Sequence, residues 1–376
     1  MGSKLEQQFT THFLIIMKIL SISAFYNAKT PPLGYGGMER FIHSLNESLV
    51  SQCKHRVTTV CPEGSDGGIY DTICCSNAEL PSLVKKLISE IQPDIIHNHM
   101  RDFNLIEALE SDVPVLTTIH SNIRNSSFWI PIIKNRKEND YFSTISKSHK
   151  DRLLNALHEN NIDVSGLNIF MGGYGMDIKQ YLKKKKTSNK GKYYVYLGAI
   201  APYKAVLDIA LAFSKINEPL LIVGPSTNST ELDYYQEVLK VVDKNSNLKY
   251  HAETANDIEK MEILKGAKGL VIASGYSNYD SDYYEAFGLV MLEANAIGVP
   301  VIGFDKGNIS DYIKNGVNGY KFKNLDELKN ILVTLDKQNL VATSIATARN
   351  YAINNISKDY AKIFQVIEAD YKRKRC

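Results

Sequence analysis

The chain has 376 residues, and at ~150 residues per domain that length predicts two substantial domains rather than one small core. Hydrophobic residues make up 44% and charged residues 23%, with 23 Gly and 11 Pro, which excludes collagen-like, disordered and low-complexity classes. The 44 Lys and Arg against 41 Asp and Glu leave a formal net charge of +3, so no global field argues for a nucleic-acid partner.

Residues 1–16 are set aside as an upstream extension or scar, because the first strand-like run begins at Met17. The apolar stretch 13–17 is broken by Lys18, too short to cross a bilayer, and lacks a small-residue cleavage pattern. From Lys18 onward short apolar runs alternate with longer amphipathic ones, the pattern of a parallel sheet covered on both faces. Strands are expected at 19–23, 57–61, 94–97, 115–119 and 141–145. Helices are expected at 38–50, where Phe41, Leu45 and Leu49 repeat every four residues, and at 80–91, with Leu83, Leu87 and Ile91. After Tyr181 the polar run 182–192 cannot bury a face and is the expected interdomain linker. The basic strings 183–186 and 372–375 are read as a solvated linker and a frayed terminus. A second series of strands follows at 193–197, 220–223, 248–250, 269–273 and 300–303. The fold class is therefore α/β, two doubly wound Rossmann-like domains at 17–180 and 190–355. Ligands of such sheets bind beyond the carboxyl ends of the strands, here in the cleft between two facing sheets. Cys53, Cys61, Cys74, Cys75 and Cys376 include no Cys-x-x-Cys and are expected as free thiols in a reducing compartment.

The most informative stretch runs from Tyr284 to Ile302. Gly288 precedes an apolar helix that stops at Gly298, with Pro300 opening a strand, so start and stop signals agree. Residues 286–289 are then a tight loop at a helix N-terminus, where unpaired N–H groups and the helix dipole suit a phosphate. Glu285 precedes that helix and Glu293 lies two turns in, and carboxylates accept hydrogen bonds from vicinal sugar hydroxyls. Read alone, Glu285 is equally a cap partner and Glu293 equally a member of a buried ion pair. In the first half, Gly36 and Gly37 before Glu39 allow a backbone to approach a phosphate or sugar closely, although the third glycine of a dinucleotide fingerprint is absent. A generic turn fits that segment as well. His120 ends a strand at the edge where sites form. His97 and His99 suggest a zinc pair, but opposite faces of a strand and the lack of a nearby third ligand argue against it. No catalytic triad, Walker loop, EF-hand or Asp-x-Asp metal motif stands out; the strings around Asp280 to Asp282 and Glu110 to Asp112 lie in polar loops.

With Phe287-Gly288-Leu289 after the first Glu of a pair separated by seven residues and Gly298-Val299-Pro300-Val301 after the second, the chain resembles the retaining, nucleotide-sugar-dependent glycosyltransferases of family 4, from Met17 to about Tyr371. The resemblance implies the GT-B fold, with residues 356–376 packing back on the first domain, where Ile363, Phe364, Val366, Ile367 and Ala369 give an apolar stripe. It implies that Glu285 holds the donor's sugar hydroxyls and Glu293 the ribose. The loop Ala286, Phe287, Gly288, Leu289 presents N–H groups to the diphosphate, and Lys204 supplies a cation. Gly36, Gly37 and Glu39 face the donor phosphates and the acceptor. His120 contacts the donor sugar, and Gly198 and Gly224 belong to the donor side, with base contacts near 223–224 and 253–257. Ser146, Asp177 and Asp311 are further matches. The chain departs from the pattern at Ala199, where an arginine is usual, at Ala205 for a glycine and at Tyr174 for an asparagine. Lys306 is a candidate substitute for the missing guanidinium. The resemblance also implies a hexosyl transfer with retention from a UDP- or GDP-sugar to a glycan, glycolipid or small molecule, with no metal and no cofactor beyond the donor. A cytoplasmic location goes with it, and peripheral membrane contact and oligomeric state stay open. Alternatives are a catalytically weakened sugar-nucleotide-binding protein and a GT-B epimerase or phosphorylase.

Overall fold

The computed structural model describes residues 15–25, 29–32, 36–100, 112–123, 128–188, 190–226, 232–252, 256–276, 282–335 and 339–375. Residues 110, 280, 281 and 376, and most of the upstream extension, lie outside them. Among the described residues two fully parallel sheets form. The first joins β1 (Lys18–Ile22), β2 (Arg56–Pro62), β3 (Asp71–Cys75), β4 (Ile95–Asn98), β5 (Val115–Ile119), β6 (Asp140–Thr144) and β7 (Ile169–Met171) in the order β3-β2-β1-β4-β5-β6-β7. The second joins β8 (Tyr193–Leu197), β9 (Leu220–Val223), β10 (Leu248–His251), β11 (Ala267–Ile272), β12 (Val301–Phe304) and β13 (Gly319–Phe322) in the order β10-β9-β8-β11-β12-β13. Helices cover both, and the chain is α/β with two doubly wound sheets, as its alternation of apolar runs requires.

Every expected strand forms, with ends within two residues of the expected ones. The three that the sequence did not announce, β3, β7 and β13, are outer strands. An outer strand is half-exposed, so β3 carries Asp71, Thr72 and Cys74 where a central strand would carry a continuous apolar run. Helix Gly37–Ser51 buries Phe41, Leu45 and Leu49 as expected. Helix Leu80–Ile91 instead buries Leu80, Val84 and Leu87, rotating its stripe by about one position.

Two expectations about the basic strings need correcting. Lys186 is buried: its N–H donates to Ile297 O at 2.7 Å and its Nζ to Ala267 O at 2.6 Å. Backbone carbonyls replace the water an ammonium loses on burial, which holds the connection against the second domain. The string 372–375 is not frayed but forms the last turn of helix Ile353–Arg375. There Arg373 and Lys374 both pair with Asp370, at 2.5 and 3.0 Å, and Asp370 also accepts from Tyr141 Oη at 2.8 Å. This helix lies along helix Gly37–Ser51, with Ser357 Oγ 2.8 Å from Ser48 Oγ, and buries Tyr360, Phe364 and Ile367. Where the chain enters it, Ile353 N–H donates to Met176 O at 2.9 Å and Met176 N–H to Tyr351 O at 3.3 Å. A Cβ at position 175 would stand 2.5 Å from Tyr351 O, so only glycine allows that approach. Cys53, Cys61, Cys74 and Cys75 are all unpaired thiols.

Candidate active site

The loops after β1, β4, β5 and β6 face those after β8, β9, β10 and β11 across a cleft of ≈ 780 Å³, at the carboxyl ends of both sheets. This is where doubly wound sheets bind ligands. The residues assigned to donor, diphosphate and acceptor line it: Gly36, Gly37, Glu39 and His120 on one wall, and Gly198, Lys204, Gly224, Glu285, the loop 286–289 and Glu293 on the other. Ser146, Asp177 and Asp311 do not. Ser146 caps helix Lys147–Glu159 and donates to Ala286 O at 2.8 Å, while Asp311 accepts from Ser148 N–H at 2.8 Å, so both join the domains. Asp177 accepts from Lys179 N–H at an exposed turn.

The phosphate-type loop is built as its residues require. Gly288 sits at φ 81°, ψ 69° at the N-cap of helix Leu289–Ile297, a left-handed conformation natural to glycine. Asn308 grips the loop from behind, its N–H on Glu285 O at 2.9 Å and its Nδ2 on Phe287 O at 2.6 Å. Gly288, Leu289 and Val290 line the cleft. First-turn N–H groups have no partner inside a helix, and the dipole there favours an anion. Beside them Lys204 Nζ lies 2.6 Å from Glu285 Oε2, which also accepts from Ser274 Oγ at 2.9 Å. Glu293 is 7% exposed; its Oε1 takes Lys260 Nζ at 2.5 Å and Tyr181 Oη at 3.0 Å. The ion-pair reading of Glu293 is thus the one the structure shows. Burial would raise the Asp257 carboxyl, but Lys260 and Arg40 outweigh it and hold it below its usual range. Arg40 reaches Asp257 from the opposite domain at 2.7 Å.

Ala199 lines the cleft and is 1% exposed. Lys306, the candidate substitute, points its Nζ at Gly275 O, 3.2 Å away, and is not among the described residues that line the cleft. Ala205 has φ 53°, ψ 38°, the left-handed conformation for which glycine is usual.

His97 and His99 do not point to opposite faces. Residues two apart share a face of a strand, and the rings lie 4.0 Å apart. His99 in turn reaches His120, 2.9 Å from Nδ1 to Nε2. Burial first, and neighbouring imidazoles second, lower the pKa of all three, His97 to about 3, so the cluster is neutral at physiological pH. Burial also pushes the Glu39 carboxyl up, its own backbone N–H pulling the other way. Among the described residues no group of three or more His, Cys, Asp or Glu is placed to hold a metal ion. Sequence reasoning did not single out Lys260, Ser274, Tyr181 or Arg40 as site residues. Arg40 adjoins Glu39 and was within reach of a motif argument, whereas the others come from distant segments with no local signal.

Two facing doubly wound domains thus bring a helix N-terminus, two carboxylates and a lysine into one cleft. Residues 35–164 match the family model described as Glycosyltransferase Family 4, and residues 177–337 the model described as Glycosyl transferases group 1. An N-acetyl-alpha-D-glucosaminyl L-malate synthase of Bacillus anthracis is 25% identical over 60% of each chain, so the match spans less than two thirds of that relative. A sucrose-phosphate synthase of Thermosynechococcus elongatus shares the fold with a TM-score of 0.72 and 16% identity, over 93% of this chain and 98% of that one. The Anabaena HepE protein, solved with UDP-glucose, shares it with a TM-score of 0.66 and 16% identity, over 93% and 99%. The fold is thus shared with solved GT-B glycosyltransferases, and each half of the chain matches a glycosyltransferase family model.

Proposed function

We propose that the protein transfers a hexose, with retention and without a metal ion, from a UDP- or GDP-sugar to a hydroxyl of a glycan, glycolipid or small molecule. One observation carries the reading: Glu285 and Glu293 flank a helix N-terminus in the same cleft as Lys204, so sugar, diphosphate and ribose each meet groups of matching chemistry. The HepE complex with UDP-glucose supports a uridine donor on this fold. In this reading Glu293 exchanges Lys260 for the ribose hydroxyls, Glu285 holds the sugar hydroxyls, and the base lies near Gly224 and Asp257. As the bond from C1 to the diphosphate breaks, the loop 286–289 and Lys204 stabilise the charge on the leaving oxygen. The acceptor oxygen bonds C1 from the same face, and its proton passes to the departing diphosphate. Gly36, Gly37 and Glu39 face the phosphates and acceptor, with His120 toward the sugar. A cytoplasmic location, with contact at the membrane surface for a lipid-linked acceptor, belongs to the same reading; among the described residues no helix is long and apolar enough to cross a membrane.

Calorimetry with UDP and UDP-glucose, and GDP and GDP-mannose, tests it. Glu293→Gln is expected to weaken free nucleotide and donor alike by about tenfold, and Glu285→Gln the intact donor alone. Equal losses on free nucleotide for both variants would reject the assignment. Activity is expected to persist in excess EDTA; loss restored by Mg²⁺ would reject the metal-free mechanism. Ala199 favours a second reading, a sugar-nucleotide-binding protein without transfer, and donor hydrolysis in the absence of acceptor separates the two.

A further inference from the structure

The polar chain behind the first-domain wall ends in a residue that the function above leaves unused. His120 Nε2 lies 2.9 Å from His99 Nδ1, and His120 Nδ1 lies 3.1 Å from the Tyr174 hydroxyl, so both nitrogens of His120 are occupied by the protein. Tyr174 lines the cleft, and its ring is fixed by Phe41, stacked at 4.0 Å and 20°, and by Phe287 at 5.2 Å. His97 Nε2 is engaged elsewhere, 2.8 Å from Thr118 Oγ1. The titratable groups facing this chain are His97 in β4 and His99 just past its end, His149 on helix Lys147–Glu159, Tyr360 on the last helix and Glu39 on helix Gly37–Ser51.

A neutral imidazole carries one N–H. The series Tyr174, His120, His99 therefore admits two proton orders. In the first, Tyr174 O–H donates to His120 Nδ1, His120 Nε2–H donates to His99 Nδ1, and His99 carries its hydrogen on Nε2. In the second, each bond is reversed. Imidazole nitrogen is a far more basic acceptor than a phenol oxygen, and a phenol is a more acidic donor than an imidazole N–H, so the first order makes the stronger bond at Tyr174. His99 Nε2, buried without a partner, is left as the end of the series in either order.

We propose that Tyr174 is a positioning residue for the transfer reaction: its hydroxyl donates to His120 Nδ1, fixes that imidazole as the Nε2–H tautomer, and with His99 holds it still against the bound donor. The proposal rests on the cleft being a sugar-nucleotide site. It also gives a physical reason for a tyrosine at 174, because an asparagine is too short to span from the Phe41 stack to the imidazole without the backbone or His120 moving.

Imidazole ¹⁵N spectra of the whole unliganded chain, read beside transfer kinetics, test it. Wild-type His120 is expected as a single Nε2–H tautomer. Tyr174→Phe keeps the ring stack and removes the hydroxyl. It is expected to mix the His120 tautomers and lower kcat about tenfold, with donor KM within about twofold. His99→Asn, whose Oδ1 still accepts near the Nδ1 position, is expected to keep both the tautomer and kcat within about threefold, whereas His99→Leu removes the acceptor of the Nε2–H, keeps the tautomer that Tyr174 sets and is expected to lower kcat about tenfold. An unchanged tautomer and kcat in Tyr174→Phe would overturn the proposal. So would equal losses in His99→Asn and His99→Leu, which would mark a packing role. Should the wild type bind no nucleotide sugar, the donor reading fails, while the ligand-free spectra still decide the tautomer.

Discussion

At position 205 an alanine holds a conformation that costs an L-residue ~1–2 kcal/mol. Ala205→Gly removes that strain and adds unfolded-state entropy of ~0.4–1 kcal/mol, so a net gain of about 0.5 kcal/mol is expected, read as a higher urea midpoint with unchanged slope. Position 199 differs, since the cleft lies beside it. Ala199→Arg places a guanidinium in the cleft and, if the proposed diphosphate site is right, is expected to tighten donor binding about tenfold by calorimetry. Because Lys306 is tied to Gly275 O, the gain should be the same in a Lys306→Ala background. Coupling between the two would restore Lys306 to the phosphate site, and unchanged binding would mean that position 199 does not face the diphosphate. Single residues were legible where chemistry is local. The two glutamates, the glycines and Lys204 each sit in a run whose neighbours announce a loop or helix start. Lys260 and Tyr181 lie 33 and 112 positions from Glu293, and no window along the chain contains both ends of those bonds.

Elements were legible in proportion to their burial. Central strands such as β5 are buried at every position and read as apolar runs, whereas β3 and β13 carry polar residues outward and pass for loops. Helix Ile353–Arg375 was readable as an amphipathic stripe. That it packs back on the first domain came from the resemblance, but which helix it meets there, Gly37–Ser51, was not readable, because contact between helices depends on which face each turns inward. Ending the chain at Ser357 removes Tyr360, Phe364 and Ile367 from the core around Phe41 and His97, and an insoluble or aggregating product is expected on gel filtration. A soluble, fully active product would show that the helix contributes nothing essential. The strand ends are equally exacting. A Cβ on Gly224 would fall 1.8 Å from Gly198 O, so Gly224→Ala is expected to push β9 from β8 at the cleft floor and lower stability by more than ~2 kcal/mol by urea titration.

For the whole molecule, acid is the selective stress. Burial lowers His97 to about 3 and His149 to about 4, from 6.5 for a free imidazole. The unfolded chain binds protons that the folded chain refuses. That stability is fully present above pH 6.5 and is lost as pH falls toward 4 and then 3, at ~1.4 kcal/mol per group and pH unit. Urea midpoints should be flat from pH 8 to 7 and decline below about 6.5, and His97→Gln should make the decline shallower.

Between the two halves of the molecule the chain crosses once after Met176 and returns after Tyr351. These crossings are laced together by Met176 and its bonds to Tyr351 and Ile353, with Gly175 leaving no gap between them. Lys186 pins the outgoing crossing to the second domain a few residues later. Because these tethers are bound side by side, the halves are expected to swing about them as one pivot, like a book on its spine, rather than to shear or twist freely. The Arg40–Asp257 pair spans the opening elsewhere, between the helices that begin at Gly37 and Asp257. A book opened on that spine must part this pair. Spin labels on those two helices should therefore report a wider spread of distances than labels flanking Met176 and Tyr351.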